Sequence, residues 1–228
     1  MIGLVGAMAV EVEGMMQVLQ DRREQRIGMD TFVNGKLYGQ DAVLAVCGAG
    51  KINAALCTQS MILHYHPDWV LNLGVAGSAD ESISIGDMVI ADSVVQHDVD
   101  TSPIGDPVCM VSKINLVNIP CDKTLGDRLV AAATQLQDCR VFRGVIATGD
   151  QFINDGEKRN RIRSLTDALC VEMEGGAVAQ ACWMHGVPCG VLRSISDQAD
   201  GHSDMDYPAF VRLAAEHSQR VIELLLKA

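Results

Sequence analysis

Short apolar runs alternate with amphipathic stretches along the whole chain, and this alternation narrows the fold to one class. Runs at residues 2–5, 42–47, 69–73, 88–95, 141–147 and 187–195 read as strands, with shorter ones at 31–33 and 168–171. Between them, residues 8–19, 51–64, 123–136, 157–164 and 175–183 read as helices. A last amphipathic helix over 207–226 carries Phe210, Leu213, Ala214, His217, Val221 and Leu224 on one side at helical spacing. Strand and helix in repeated succession specify an α/β fold. Turn-prone Asn34-Gly35 and Gly39 join two strands, Pro67 follows the second helix, and Gly74-Val75-Ala76-Gly77-Ser78 reads as a tight glycine-bounded loop. Residues 100–122, with Pro103, Pro107 and Pro120, lack periodicity, and such long irregular segments are usually functional or lie at interfaces.

The chain of 228 residues suits one domain spanning 1–228, and its 48% apolar content fills a sizeable core. No apolar stretch reaches the roughly 20 residues that span a bilayer. The N-terminus has no basic segment and Glu11 and Glu13 follow closely, so a secretory signal is not expected and a cytoplasmic protein is. A net charge of −11 repels phosphate backbones, which argues against nucleic-acid binding. The eight cysteines contain no C-x-x-C pair, and several sit in apolar runs, so they read as reduced buried thiols rather than zinc ligands.

Ligands of open α/β sheets bind beyond the carboxyl ends of the strands. Glu11, residues 74–78, Asp150, Glu172, Glu174, and the group Arg193, Ser196 and Asp197 all fall at such ends. If the strands run parallel, these carboxylates converge on one edge. Taken singly, Glu11 is an ordinary first-turn acid and Asp197 an ordinary cap. Arg193 lies within an apolar run, and a buried arginine needs partners. The His97-Asp98-Val99-Asp100 cluster reads as a solvated turn, and His64 and His66 as surface residues.

Seven motifs follow in order: Gly6-Ala7-Met8-x-x-Glu11, Gly48-Ala49-Gly50-Lys51-x-Asn53-Ala54-Ala55, Asn72-x-Gly74-x-Ala76-Gly77, Gly86-Asp87-x-Val89, Thr148-Gly149-Asp150-x-Phe152-Ile153, Val171-Glu172-Met173-Glu174 and Arg193-Ser194-Ile195-Ser196-Asp197-x-Ala199-Asp200. Together they resemble the methylthioadenosine/S-adenosylhomocysteine nucleosidases of the nucleoside phosphorylase superfamily, over essentially the whole chain. The resemblance implies a three-layer α/β/α fold around a twisted mixed sheet, and a homodimer. The helix over 51–64 and the segment after Asp100 are the candidate interface.

The resemblance also implies roles. Asp197 is expected to protonate adenine N7, with Ser196 orienting it, and Glu11 to be the general base on water. Glu174 is expected to bind the ribose 2′- and 3′-hydroxyls beside Met173, and Arg193 to hold ribose and water. The backbone of Ile153 is expected to read the adenine edge while Phe152 stacks on the base. Val75, Ala76 and Gly77 belong to the loop at the sugar, and Met8, Ala49 and Tyr207 to positions lining the sugar and 5′-substituent. Many family members carry serine where this chain has Val75, and aromatic residues reaching the neighbouring subunit's pocket where it has Ile104 and Pro107.

These residues suit hydrolysis of the N-glycosidic bond of 5′-methylthioadenosine, S-adenosylhomocysteine or 5′-deoxyadenosine. An acid at the base and a base at the water divide the work as in an inverting glycosidase. No metal or cofactor is required. A phosphorylase would need cationic or backbone donors where Glu11 stands. An aminodeoxyfutalosine nucleosidase would use the same machinery with another 5′ group. A nucleoside sensor without turnover would lack one of Glu11, Glu174 and Asp197, and all three are present.

Overall fold

The computed structural model describes residues 1–199 and 207–227, with the backbone alone at 207–209. The chain opens with β1 (Ile2–Gly6), α1 (Ala9–Val18), β2 (Gln20–Ile27), β3 (Asp30–Leu37), β4 (Gln40–Val46), α2 (Lys51–Tyr65) and β5 (Trp69–Ser78). It continues through β6 (Met88–Gln96), a 3-10 turn (Ser102–Ile104), β7 (Asn118–Pro120), α3 (Lys123–Ala133), β8 (Val141–Thr148) and α4 (Gly156–Thr166). β9 (Cys170–Glu172), α5 (Gly175–His185), β10 (Cys189–Asp197) and α6 (Tyr207–Lys227) complete it.

Strand β1 is central, parallel to β4 on one side and β5 on the other, with Leu4 level with Leu44 and Leu71. Beyond β4 the sheet continues antiparallel through β3 to β2, forming an open wing. On the other side the sheet closes on itself. β5 pairs with β10, β10 with β6, β6 with β8, β8 with β9, and β9 returns antiparallel to β5. Neighbouring residues of a strand face opposite sides, so continuous apolar runs fill two cores. Val5 and Val43 pack on one side with Met61 of α2 and Cys182 of α5. Leu4 and Leu44 pack on the other with Met15 of α1, Leu129 of α3 and Leu225 of α6. The result is the expected three-layer α/β/α arrangement around a mixed sheet.

Helix boundaries follow local chemistry. The Asp122 carboxylate accepts the Leu125 amide at 2.7 Å to open α3, and Asp155 does the same for Lys158 at 2.9 Å in α4. α2 ends on His66 in the left-handed region, with Pro67 preventing continuation. Residues 74–78 are not a loop but the second half of β5, hydrogen-bonded to β10 and β9. Asn34-Gly35 lies inside β3, and the chain reverses at Tyr38-Gly39. Glycine is needed at 35 because a Cβ would stand 2.3 Å from the Gln20 carbonyl oxygen. Strand β2 is one that no apolar run or periodicity in the sequence marks. α3 also stops at Ala133, short of the expected Leu136. Cysteines 121 and 139 are half-buried and the other six buried, all unpaired.

Candidate functional site

The carboxyl ends of β1, β4, β5, β8, β9 and β10 surround a cleft of about 160 Å³. From β1 the chain turns through Ala7 and Met8 into α1, where Glu11 sits in the first turn. Its carboxylate folds back on the turn, Oε2 accepting from the Ala7 amide at 2.7 Å and the Met8 amide at 2.9 Å. Its Oε1 accepts from the Val75 amide of β5 at 3.2 Å. Val75, Ala76 and Gly77 form one wall. Beside them, on the paired strand, Ser196 and Asp197 close β10: the Ser196 hydroxyl donates to Asp197 Oδ2 at 2.9 Å, and the Ala199 amide to Oδ1 at 2.9 Å.

Both carboxylates press on β5 where it has no side chain. A Cβ on Gly74 would lie 2.7 Å from Glu11 Oε1, and one on Gly77 would lie 2.8 Å from Asp197 Oδ1. About 10 Å of extended strand separates the two glycines, enough for a ligand between the acids. The remaining walls come from loops: Ala49 after β4, Phe152 and Ile153 after β8, and Met173 and Glu174 after β9. Phe152 is exposed, whereas Ile153 is buried. Glu174 Oε1 accepts from the Gly50 amide at 2.9 Å, and Gly50 adopts φ 99°, a conformation that favours glycine.

The site is anionic, and its carboxylates are buried. Burial pushes the Glu11 carboxyl above its usual range, against the donors of Met8, Val75 and Ala7 and the charge of Arg193. Burial and then the Glu172 charge raise Glu174 to about 7, against Arg193 and the Gly50 amide. Burial, aided by Glu174 and Glu11, pushes the nearby Cys47 thiol up to about 12, so it stays protonated and is no nucleophile.

Of the residues singled out from the sequence, Glu11, Asp197, Ser196, Glu174, Met173, Phe152, Ile153, Val75, Ala76, Gly77, Met8 and Ala49 come together at this cleft. Arg193 does not line it. It is 1% exposed and lies beneath the carboxylates, its Nη2 on Glu172 and on Asn72 Oδ1. Ile104 is 83% exposed and away from the cleft. Asp200 and the Tyr207 side chain lie outside the described residues. Asp150 does not join the converging acids: its carboxylate accepts the Lys51 amide at 2.7 Å and opens α2. His97 and Asp98 form a turn as expected, and exposed Asp98 also binds Lys51 Nζ at 2.6 Å and the Asp150 amide at 2.9 Å. Glu172, placed among the converging acids but given no role from the sequence, also lines the cleft, as do Ala7, Gln151 and Val171, which the sequence does not single out. For Glu172 the signal was present, since it stands at a strand end two residues before Glu174.

The chain matches the family model described as the phosphorylase superfamily over residues 1–227, and it belongs to that superfamily. Within it, the chain belongs to the 5′-methylthioadenosine/S-adenosylhomocysteine nucleosidase family. It is 39% identical to the nucleosidase of that name from Marinomonas sp. (strain MWYL1), covering 99% of this chain and 98% of the relative. It is 36% identical to that of Staphylococcus aureus (strain MRSA252), covering 99% of each. The solved structure of the Neisseria meningitidis nucleosidase in complex with methylthio-immucillin-A superposes with a TM-score of 0.95 at 30% identity, covering 99% of this chain and 98% of that one. The futalosine hydrolase of Helicobacter pylori strain 26695 superposes with a TM-score of 0.93 at 35% identity, covering 99% and 97%.

Proposed function

We propose that the protein hydrolyses the N-glycosidic bond of 5′-methylthioadenosine and S-adenosylhomocysteine, releasing adenine and the 5′-thio-ribose. Asp197, oriented by Ser196, gives its proton to adenine N7 as the bond from C1′ to N9 breaks, so the base leaves neutral. Glu11 takes a proton from the water whose oxygen bonds to C1′. Glu174 accepts the ribose 2′- and 3′-hydroxyls, which are strong donors to a carboxylate in a low-dielectric site. Phe152 stacks on the base, whose edge the Ile153 backbone reads. Met8, Ala49 and Met173 enclose the sugar and its 5′ group. Arg193 acts from beneath, through the carboxylates. Proton exchange with solvent returns Glu11 and Asp197 to their starting forms.

One observation carries the choice of water over phosphate. The amides of Ala7, Met8 and Val75, which would cradle an anion, are already bonded to the Glu11 carboxylate. A phosphate there would meet a negative charge instead of donors. Likeness to the H. pylori futalosine hydrolase supports a second reading with the same chemistry, in which the 5′ group is that of aminodeoxyfutalosine.

A homodimer belongs to the same proposal. Ile52 and Leu56 on α2 and Met184 on α5 are 72%, 61% and 46% exposed and share one face. Burying such a face is what a second copy would supply.

The test is incubation with methylthioadenosine, with and without phosphate, followed by product chromatography. Adenine and methylthioribose are expected at a rate indifferent to phosphate. Glu11→Gln and Asp197→Asn should each slow release by about 10²–10⁴-fold. Methylthioribose-1-phosphate formed only with phosphate would overturn the reading. A kcat/KM higher for aminodeoxyfutalosine than for methylthioadenosine would select the second reading.

A further inference from the structure

Helix α5 opens in an unusual way. Glu174 occupies its N-cap position, yet the side chain makes no bond to its own helix. It turns into the cleft and accepts from the Gly50 amide. The first donors of α5 are satisfied from the strands before it. Glu172 Oε2 accepts the Glu174 amide at 3.0 Å and the Gly175 amide at 2.7 Å. Thr148 Oγ1 accepts the Gly176 amide at 2.7 Å and donates its own proton to Glu172 Oε1. The same Glu172 carboxylate pairs with Arg193, and both side chains are 1% exposed. Arg193 Nη2 stands 3.9 Å from Glu174 Oε2. Asn72 steadies it further, accepting from Nη2 at 2.5 Å while donating to the Val5 carbonyl at 2.9 Å.

We propose that Glu172 is a positioning residue that keeps the Glu174 carboxylate free to bind a vicinal diol, by capping α5 in its place and by engaging Arg193. The proposal rests on the reading of the cleft as a nucleoside site. Two competing demands act on Glu174. As N-cap residue it would ordinarily bond its own helix. As the carboxylate next to a buried guanidinium it would ordinarily close into a direct ion pair, because an unpaired buried charge is strongly unfavourable. Either arrangement would occupy the oxygens a ribose needs. Glu172 meets both demands with one carboxylate.

Glu172→Gln tests this, since it preserves volume and an acceptor for the helix amides while removing the charge. The ionisable groups facing Glu174 are Glu172 from β9, Arg193 from β10, Glu11 from α1 and Cys47 from the end of β4. Without the Glu172 charge, Arg193 is expected to turn to Glu174. Carboxylate ¹³C NMR should then show Glu174 titrating lower than in the native protein by about one pH unit or more. Calorimetry in an Asp197→Asn background, where turnover is slow, should show methylthioadenosine bound at least roughly 10-fold more tightly than its 2′-deoxy analogue, with the Glu172 variants compared in the same background. The Gln variant should lose most of that difference, because the deoxy compound makes less use of Glu174.

An unchanged Glu174 titration, with both ligands weakened equally, would overturn the proposal and leave Glu172 a purely structural cap. If Glu172→Gln does not fold, Thr148→Val loosens Glu172 and keeps its charge. A smaller loss of discrimination is then expected, and full discrimination overturns the idea. Native protein that discriminates between the ligands but releases no adenine would sink the hydrolase reading and leave Glu172's role standing. Native protein that binds neither ligand would sink the nucleoside reading, and the Glu174 titration would still decide the role of Glu172.

Discussion

Replacing Glu174 by glutamine is expected to make the protein more stable above neutral pH while removing its grip on the sugar. The side chain is buried, and burial with the Glu172 charge raises its pKa from an ordinary 4.5 to about 7. A carboxyl raised in this way holds its proton more tightly folded than unfolded. The native state is therefore favoured at low pH, loses stability as the pH climbs from 4.5 towards about 7, and has lost the full amount above that. The interval of about 2.5 pH units, at about 1.4 kcal/mol each, corresponds to about 3 kcal/mol. Glutamine never ionises and escapes this penalty. Urea unfolding of both proteins from pH 4 to pH 8 should give nearly equal stabilities at about pH 4 and a variant more stable by up to about 3 kcal/mol at about pH 8. In thermal unfolding this amounts to roughly 6–12 °C. A difference that does not change with pH, or a native protein more stable at the alkaline end, would refute the assignment of strain to this carboxylate. Adenine release should move the opposite way, as expected where a destabilised group serves function.

Two further outcomes follow from other parts of the frame. Gly77→Ala puts a methyl group 2.8 Å from Asp197 Oδ1 and 2.9 Å from the Ala199 Cβ, so the carboxyl must shift. A fall in kcat/KM of about 10–100-fold is expected in the adenine-release assay, and an unaltered rate would mean that the placement of Asp197 is unimportant. Asp87 is buried, which pushes its carboxyl up, but bonds from Arg140 and the Ser84 amide outweigh this and hold it below the usual range. Its contribution is present above 3.8 and fades as the pH falls through its lowered folded value. Asp87→Asn should therefore destabilise by about 1–3 kcal/mol near neutral pH, with the gap narrowing in acid-unfolding series.

Most of this architecture was legible in the sequence because strands buried on both faces announce themselves as apolar runs. Strand β2 was not, for the converse reason. Its sequence, Gln-Asp-Arg-Arg-Glu-Gln-Arg-Ile, is exposed on both faces except at its last residue, so neither periodicity nor hydropathy marks it. Charge suits a sheet edge, where an apolar strand would invite pairing with other chains. The glycines of β5 misled for another reason. They punctuate the sequence like a turn, yet Gly74 and Gly77 are there so that Glu11 and Asp197 can approach the strand. Arg193 was recognisable as an arginine needing partners. Its partner Glu172 lies 21 residues away, and only pairing of β9 and β10 through β5 brings the two together.

The closed ring of β5, β10, β6, β8 and β9 divides labour between kinds of backbone. Asp197, Glu172 and the run from Val75 to Gly77 lie on strands of that ring, hydrogen-bonded to neighbours around a circuit without a free edge at the site. Met8 and Ala49, at the proposed 5′ end, sit on connections leaving β1 and β4, strands that lie outside that ring. Side-chain substitutions there disturb no ladder of the ring and leave in place the Met8 and Gly50 amides that hold Glu11 and Glu174. A fold built this way can diversify what it admits at one end of the cleft while the bond-breaking end stays invariant, so that relatives differing in the 5′ group they accept can share one chemical core.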